Sequence, residues 1–168
     1  MRISHFSDVR AQRSHRAPLQ HGLATIAFHD VGAVAARSDQ AFLALLAAYR
    51  GNGGLAHADV LVAQLERRRG LDGGQLARWR TERRVVGFGW QSHTWLPRFQ
   101  FELSGLLPDP GVAAALAVLG TVFDDWQCAM WFARPHAALD NRAPVQAIAR
   151  DLAAVLTAAR GDRFVAQG

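Results

Sequence analysis

Two sets of residues in this sequence are of types that could do chemistry. The first surrounds Cys128, which sits in "WQCAMWFA" between Trp126 and Trp131. A thiol becomes a nucleophile only when partly exposed and within reach of a base, and apolar neighbours at helical spacing make Cys128 a small packing residue instead. His136, after Pro135, could act as an acid or base, but a lone loop histidine is ordinarily just solvated. Asp124 and Asp125 are adjacent, so on a helix their side chains diverge by about 100° and do not meet at one substrate atom; capping explains them better. The second set is Gln75, Arg78, Thr81 and Arg84, which recur every three residues. Amide, guanidinium and hydroxyl groups are those that pair with base edges and phosphates.

Metal and cofactor chemistry find little support. His5, His15, His21, His29, His57, His93 and His136 are scattered without metal-ligand spacing, and a single cysteine excludes both an internal disulfide and a Cys-rich zinc site. "GNGG" at residues 51–54 lacks the lysine and hydroxyl of a phosphate loop. No Ser-His-Asp order, nucleophile elbow or dinucleotide fingerprint is visible. No metal and no cofactor are therefore expected. An enzyme or small-molecule binder built around Cys128 and His136 is the weakest of three readings.

The elements that must position these residues can be read from periodicity. Residues 1–36 are polar and Arg-rich at the start and read as an N-terminal arm, with "TIAFHDVGAVAA" undecided between strand and helix. Ser38 offers a cap for the helix "DQAFLALLAAYR", which "GNGG" ends. "ADVLVAQLERRR" and "GQLARWRTERR" are two helices joined by a short Gly-containing turn, with Leu61, Leu65, Leu76 and Trp79 facing inward. That is the outline of a helix-turn-helix, although any helical hairpin satisfies the same pattern. "VVGFGWQSHTWLPRFQF" predicts a β-hairpin resembling a wing, which could reach DNA backbone through Arg98; Pro97 makes its return strand an edge or an interrupted one. From there the chain turns helical: Asp109 and Pro110 open "GVAAALAVLGTVF", Asp124 and Asp125 open a helix running to Pro135, Pro144 starts "PVQAIAR", and Asp151 caps "LAAVLTAAR" before Gly161. The expected fold is mainly α: a helix-turn-helix-like unit with one β-hairpin over 37–104, then an α-helical domain over 105–168.

Composition fits this class. Half of the 168 residues are hydrophobic and a fifth charged, as in globular proteins that bury a substantial core. No apolar run approaches the roughly 20 residues of a membrane helix, and the start does not resemble a secretory signal, so a soluble cytoplasmic protein is expected. All 19 basic residues are arginine, a mark of GC-rich bacterial coding. Residues 1–100 hold fourteen arginines against seven acids, a balance of +7, whereas residues 101–168 hold five against seven, a balance of −2. The halves therefore suit different partners, the basic one favouring phosphates or acidic surfaces.

The C-terminal third resembles the toxin-binding domain of Xre, MbcA and ParS type antitoxins. The features that carry the resemblance are Trp131, Phe132, Pro135, Leu139, Asn141, Arg142 and Pro144, in order, over roughly residues 108–168. Two departures stand out: His136 replaces the common Asn after the proline, and Asn141-Arg142 replaces Gly-Gly or Gly-Arg. The resemblance implies a RES-type partner toxin that consumes NAD or transfers ADP-ribose. It also implies a C-terminal end that reaches toward the toxin's active site, which points to Arg160, Arg163 and Phe164; Asp162 and Arg163 could equally form a surface pair worth under about 1 kcal/mol. Trp131, Phe132, Leu139, Asn141 and Arg142 would build a rigid surface for the toxin, with Phe123 and Trp126 in the core. The upstream half of such antitoxins binds operator DNA, with Gln75, Arg78, Thr81, Arg84 and Arg98 as its contacts here, and a homodimer would match paired half-sites. An orphan DNA-binding regulator without a toxin is the second reading.

Overall fold

Helix α1 (39–49), strand β1 (Leu55–His57), helices α2 (Ala58–Arg69) and α3 (Gly74–Thr81), and strands β2 (Phe88–Trp90) and β3 (His93–Pro97) follow one another in a computed structural model that describes residues 39–102 and 106–168. The arm expected over 1–36 and the cap expected at Ser38 lie outside the described residues. The strands form one antiparallel sheet in the order β1-β3-β2, with Ala56 opposite Leu96 and Gly89 opposite Thr94. Alternation along the strands therefore sends Ala56 and Leu96 to one face, and Leu55, Phe88, Trp90 and Trp95 to the other. The first face packs on Leu61 and Leu65 of α2 and Leu76 and Trp79 of α3. The second packs on α1, where Phe42 stacks on Trp90 with centroids 3.7 Å apart and meets Trp95 edge-on.

Helices α4 (Pro110–Leu119), α5 (Asp125–Ala133), α6 (Pro144–Ala147) and α7 (Leu152–Gln167) complete the fold, with α4 packed along α7. Three starts follow from capping. Asp109 accepts from Val112 N–H with Pro110 at the first helical position, Asp124 and Gln127 form a capping box, and Asp151 accepts from Ala154 N–H. Phe42, Leu45 and Tyr49 of α1 and Val86 and Phe88 share one core with Val112, Leu116, Leu119, Phe132 and Val155. The buried Tyr49 hydroxyl donates to the Ala129 carbonyl at 2.6 Å. The boundary read near residue 104 thus divides the sequence and not the core, and residues 39–168 form one compact unit.

Several expectations are corrected. Strand β1 has no counterpart in the sequence reading, because three residues directly ahead of a helix show no alternation. It makes β3 the central strand, and Pro97 is tolerated there as the last residue, where the chain turns into a 3-10 segment. Helix α3 stops at Thr81 rather than running to Arg84. Arg83 takes φ 55°, Arg84 N–H reaches Trp79 C=O at 2.8 Å and Arg83 N–H reaches Arg80 C=O at 3.0 Å, the paired bonds of a Schellman turn with arginine in place of glycine. Helix α4 ends at Leu119, and α7 passes through Gly161 to Gln167 because Asp162 is held from outside, as described below.

Between α3 and β2 the buried segment Val85–Gly87 has no strand partner among the described residues, and side chains meet its backbone needs. Gln100 is completely buried; its amide oxygen accepts from Val86 N–H and its amide nitrogen donates to Val86 C=O, both at 2.8 Å. Arg80 donates to Gly87 C=O at 2.9 Å, and a Cβ at Gly87 would stand only 2.9 Å from Arg80 Nε and 3.1 Å from Leu96 Cγ, so glycine is required for the approach. Replacing Gln100 with leucine strands two buried backbone groups at about 1–3 kcal/mol each. We expect Gln100→Leu to lose about 2–5 kcal/mol in urea unfolding; a loss under about 1 kcal/mol would mean that water satisfies Val86 in the variant.

Candidate functional site

On α3 the inward residues are Leu76 and Trp79, and the outward ones are Ala77, Arg78 and Thr81. Of the four residues read as a row, Arg78 and Thr81 are exposed on this helix and Gln75 is half-buried in its first turn. Thr81 donates its hydroxyl proton to Ala77 C=O at 3.1 Å, which leaves its oxygen lone pairs outward. Arg84 is exposed but lies beyond the helix, a correction forced by the turn at Arg83. The stretch 58–84 carries seven arginines against four acids, so its exposed face is basic.

The inner arginines face the other way. Arg80 and Arg83 lie 3.7 Å and 3.6 Å from the Asp125 carboxylate at the start of α5, and Arg83 also reaches the Phe123 carbonyl at 3.5 Å. Gly120 makes room for this arm, since a Cβ there would sit 2.6 Å from Arg83 Cδ. These pairs are partly exposed, so each is worth under about 1 kcal/mol, and their effect is to fix orientation. In the sequence Asp125 reads only as part of a helix start, beside Asp124.

Arg98 is corrected as well. The turn of the hairpin is Gln91-Ser92, whereas Arg98 follows the opposite end of β3. There it lines, with Arg68, a cavity of about 480 Å³ walled by Phe99, Phe101, Val112 and Val145. It is not a wing residue.

The surface expected for a protein partner is rearranged. Phe132 is fully buried, Leu139 nearly so and Trp131 retains 9% exposure, while Phe123 and Trp126 are only partly buried. The helical phase of α5 set by its cap turns Cys128, Ala129, Trp131 and Phe132 inward, so Phe132 and Leu139 support the loop and do not face solvent. The loop is closed on itself: His136 N–H donates to Arg142 C=O, and Asn141 N–H to His136 C=O, each at 3.1 Å. Its exposed tip is Asp140, Asn141 and Arg142, and Arg142 also donates from Nε to Leu139 C=O at 3.2 Å.

A carboxylate from α7 ties this loop down. Trp131 Nε1 donates to Asp162 Oδ2 at 2.6 Å, and His136 Nε2 lies 2.9 Å from the same oxygen. His136 Nδ1 accepts from Ala138 N–H at 3.1 Å, which assigns the proton to Nε2. Both ring nitrogens are thereby engaged, and the imidazole has no lone pair left for proton transfer in this arrangement. Asp162 therefore joins α5, the loop and α7 instead of pairing with Arg163. Around it Arg160 is exposed and Arg163 half-buried, and Phe164 and Val165 are 80% and 76% exposed, the two largest exposures among the large apolar side chains of the described residues.

Cys128 is 1% exposed, its thiol 3.8 Å from the Phe123 carbonyl. It does not line the groove of about 440 Å³ formed by Phe123, Trp126, Met130, Trp131 and His136. Burial is the main cause that pushes the thiol from 9.0 up to about 12; Arg83 opposes it, and Asp125 and Asp124 add to it. Burial, with Cys128 beside it, also raises Tyr49 well above the ordinary phenol value. Among the described residues, no group of three or more His, Cys, Asp or Glu side chains could hold a metal ion, and no helix is long and apolar enough to cross a membrane.

Both buried groups keep their protons in the folded chain at a pH where the unfolded chain has lost them. The stability they contribute is complete below pH 9.0 for the thiol and is lost as the pH rises toward about 12. We expect the urea midpoint to fall over this window, with a limiting slope of roughly 1.4 kcal/mol per pH unit per group, and Cys128→Ala to flatten it. A thiol reagent at neutral pH should modify Cys128 only on unfolding; fast modification of the native chain would contradict this burial.

No protein-family model, no curated protein and no solved structure matches the chain.

Proposed function

We propose that this chain is an antitoxin-like binding protein: α3 and the hairpin beside it bind operator DNA, and the C-terminal helices capture a protein toxin. The observation that carries the reading is the division of α3 into two faces. Leu76 and Trp79 anchor it in the core, Arg80 and Arg83 dock it on α5, and Arg78 and Thr81 remain outward with Arg84 beside them. A helix held so firmly on one side and basic on the other fits the major groove of a duplex, which admits one α-helix. In this reading the chain performs no reaction of its own and works as a cytoplasmic homodimer.

The toxin half of the proposal rests on the end of α7. A solvated helix terminus that presents Phe164 and Val165 with Arg160 and Arg163 has the mix of apolar anchor and arginine that marks interface centres. The exposed tip Asn141-Arg142 belongs to the same loop that Asp162 ties to α7. The resemblance of residues 108–168 to antitoxin domains names the partner class as a RES-type, NAD-consuming toxin.

Two measurements test these halves separately. Binding of the full chain to duplex DNA, followed by fluorescence anisotropy across a salt series, should weaken steeply with salt; Arg78→Ala and Arg84→Ala should each reduce the slope by about 0.9, and no binding at low salt removes the operator claim. Co-expression with the reading frame beside its gene should convert a toxic neighbour into a harmless complex that co-purifies. In that assay Phe164→Ala should weaken capture by roughly tenfold or more, as expected for losing one buried aromatic anchor. Full capture by a folded Phe164→Ala protein takes the end of α7 out of the interface.

A further inference from the structure

Arg80 and Arg83 meet Asp125, and Arg142 meets Asp140. Arg98 has no such partner. It is half-buried, and among the described residues its guanidinium makes no hydrogen bond and no ion pair. The same holds for Arg68, exposed in the last turn of α2. Both line the cavity of about 480 Å³. A half-buried cation gives up part of its hydration, and here no anion of the fold compensates for it.

The backbone fixes Arg98 in place. Its N–H donates to Gly54 C=O at 2.9 Å, and its C=O accepts from Phe101 N–H at 3.1 Å, across the 3-10 segment Arg98–Gln100. Gly53, at φ 87°, lets the chain pass close by, since a Cβ there would stand 3.2 Å from Arg98 Cβ. The cavity wall is equally well supported: Phe99 stacks on Tyr49 with centroids 5.4 Å apart, and Val112 and Val145 belong to the core. Its volume is many times the roughly 30 Å³ share of one water and lies within the range of about 300–1,000 Å³ found for small-ligand pockets. Two acids also line it. Asp109 is engaged in capping α4 through Val112, whereas Glu102 makes no side-chain hydrogen bond or ion pair among the described residues. Two unpaired guanidiniums against one unpaired carboxylate favour an anion, and the guanidinium fork matches a carboxylate with two parallel bonds.

We propose that this cavity binds a small organic carboxylate with an apolar body, its charged end on Arg98 and Arg68 and its body against Phe99, Phe101, Val112 and Val145. Such a ligand touches α2, the end of the sheet, α4 and α6 together, and so braces the basic half of the chain against the C-terminal helices. Binding of this kind requires neither DNA nor a toxin.

Isothermal titration of the full chain with 1-naphthoate, 4-phenylbutyrate and decanoate tests the site. At least one should bind once per chain with a Kd below about 100 µM, which is reasonable for about a dozen heavy atoms in a preformed pocket, and should raise Tm by a few degrees at saturation. The uncharged amide of that carboxylate, and the amine of the same skeleton, should each bind at least about tenfold more weakly. Arg98→Ala should cost about tenfold or more, while Glu102→Gln should leave the affinity equal or tighter. Ala149→Trp, which fills the exposed edge of the cavity with both arginines intact, should weaken binding at least about fivefold. Circular dichroism and the urea midpoint establish that each variant is folded; if Arg98→Ala is not, Ala149→Trp decides. No binding of any of the three carboxylates at about 1 mM overturns the inference. So does equal binding of the amide or the amine, which would make Glu102 or the apolar wall the anchor, or an unchanged affinity in a folded Arg98→Ala or Ala149→Trp protein.

Discussion

The placement of both candidate surfaces depends on one buried amide. Gln100 completes the backbone of Val86 as a neighbouring strand would, and its own carbonyl accepts from Asp109 N–H at 2.9 Å. Asp109 in turn caps α4 through Val112. One chain of hydrogen bonds thus runs from the segment that leaves α3, through the end of the sheet, to the first helix of the C-terminal half. Every link lies in or beside the core, where an unpaired backbone group costs more than a made bond gains, so these elements hold one relative position.

A second constraint runs through α5. Its first residue, Asp125, meets Arg80 and Arg83 behind α3, and Trp131, six residues on and about 9 Å further along the axis, meets Asp162. Between them Ala129 accepts from Tyr49 of α1, and next to Trp131 Phe132 lies against Phe99 with centroids 5.1 Å apart. The helix is therefore held at both ends and in the middle. Its aromatic residues, which in sequence suggest a surface for a partner, are used to fix the loop at 136–142 and the direction of α7. What remains outward is what these contacts leave over: the loop tip and the last turn of α7.

The sequence made much of this legible because several signals are local. Asp109-Pro110, Asp124 with Gln127, and Asp151 mark helix starts through side chains that reach only three residues, and Leu61, Leu65, Leu76 and Trp79 declare their inner faces by spacing alone. The rest depends on residues far apart in the chain. Strand β1 exists because β3 offers it an edge 40 residues later. Arg83 ends α3 with a carboxylate waiting 42 residues on, while Gly161 fails to end α7 because Asp162 is claimed by Trp131 and His136. Gln100 looks like an ordinary polar residue in "RFQF"; nothing nearby predicts that it is buried to complete Val86. Phe132, expected at the surface, is fully buried, and Trp126, expected inside, packs at the edge of the core, because composition shows an aromatic helix and only packing decides which side of it turns inward.

The same distinction separates the arginines of "RWRTERR", residues 78–84. Composition counts four equivalent cations, but the fold divides them into two kinds. Arg80 and Arg83 spend their charge on Asp125, and Arg80 also on the carbonyl of Gly87, so they serve to position the helix. Arg78 and Arg84 stand outward with no such acid against them among the described residues. The division follows from helix geometry: with Leu76 and Trp79 inward, position 80 falls at the edge of the inner face and position 78 on the outer one. Arg80 reaches both a carbonyl and a carboxylate through one nitrogen, Nη2, whereas the outward arginines carry only their charge. The basic balance of the first half is thus a mixture of structural and available charge, and only the available part can attract a partner.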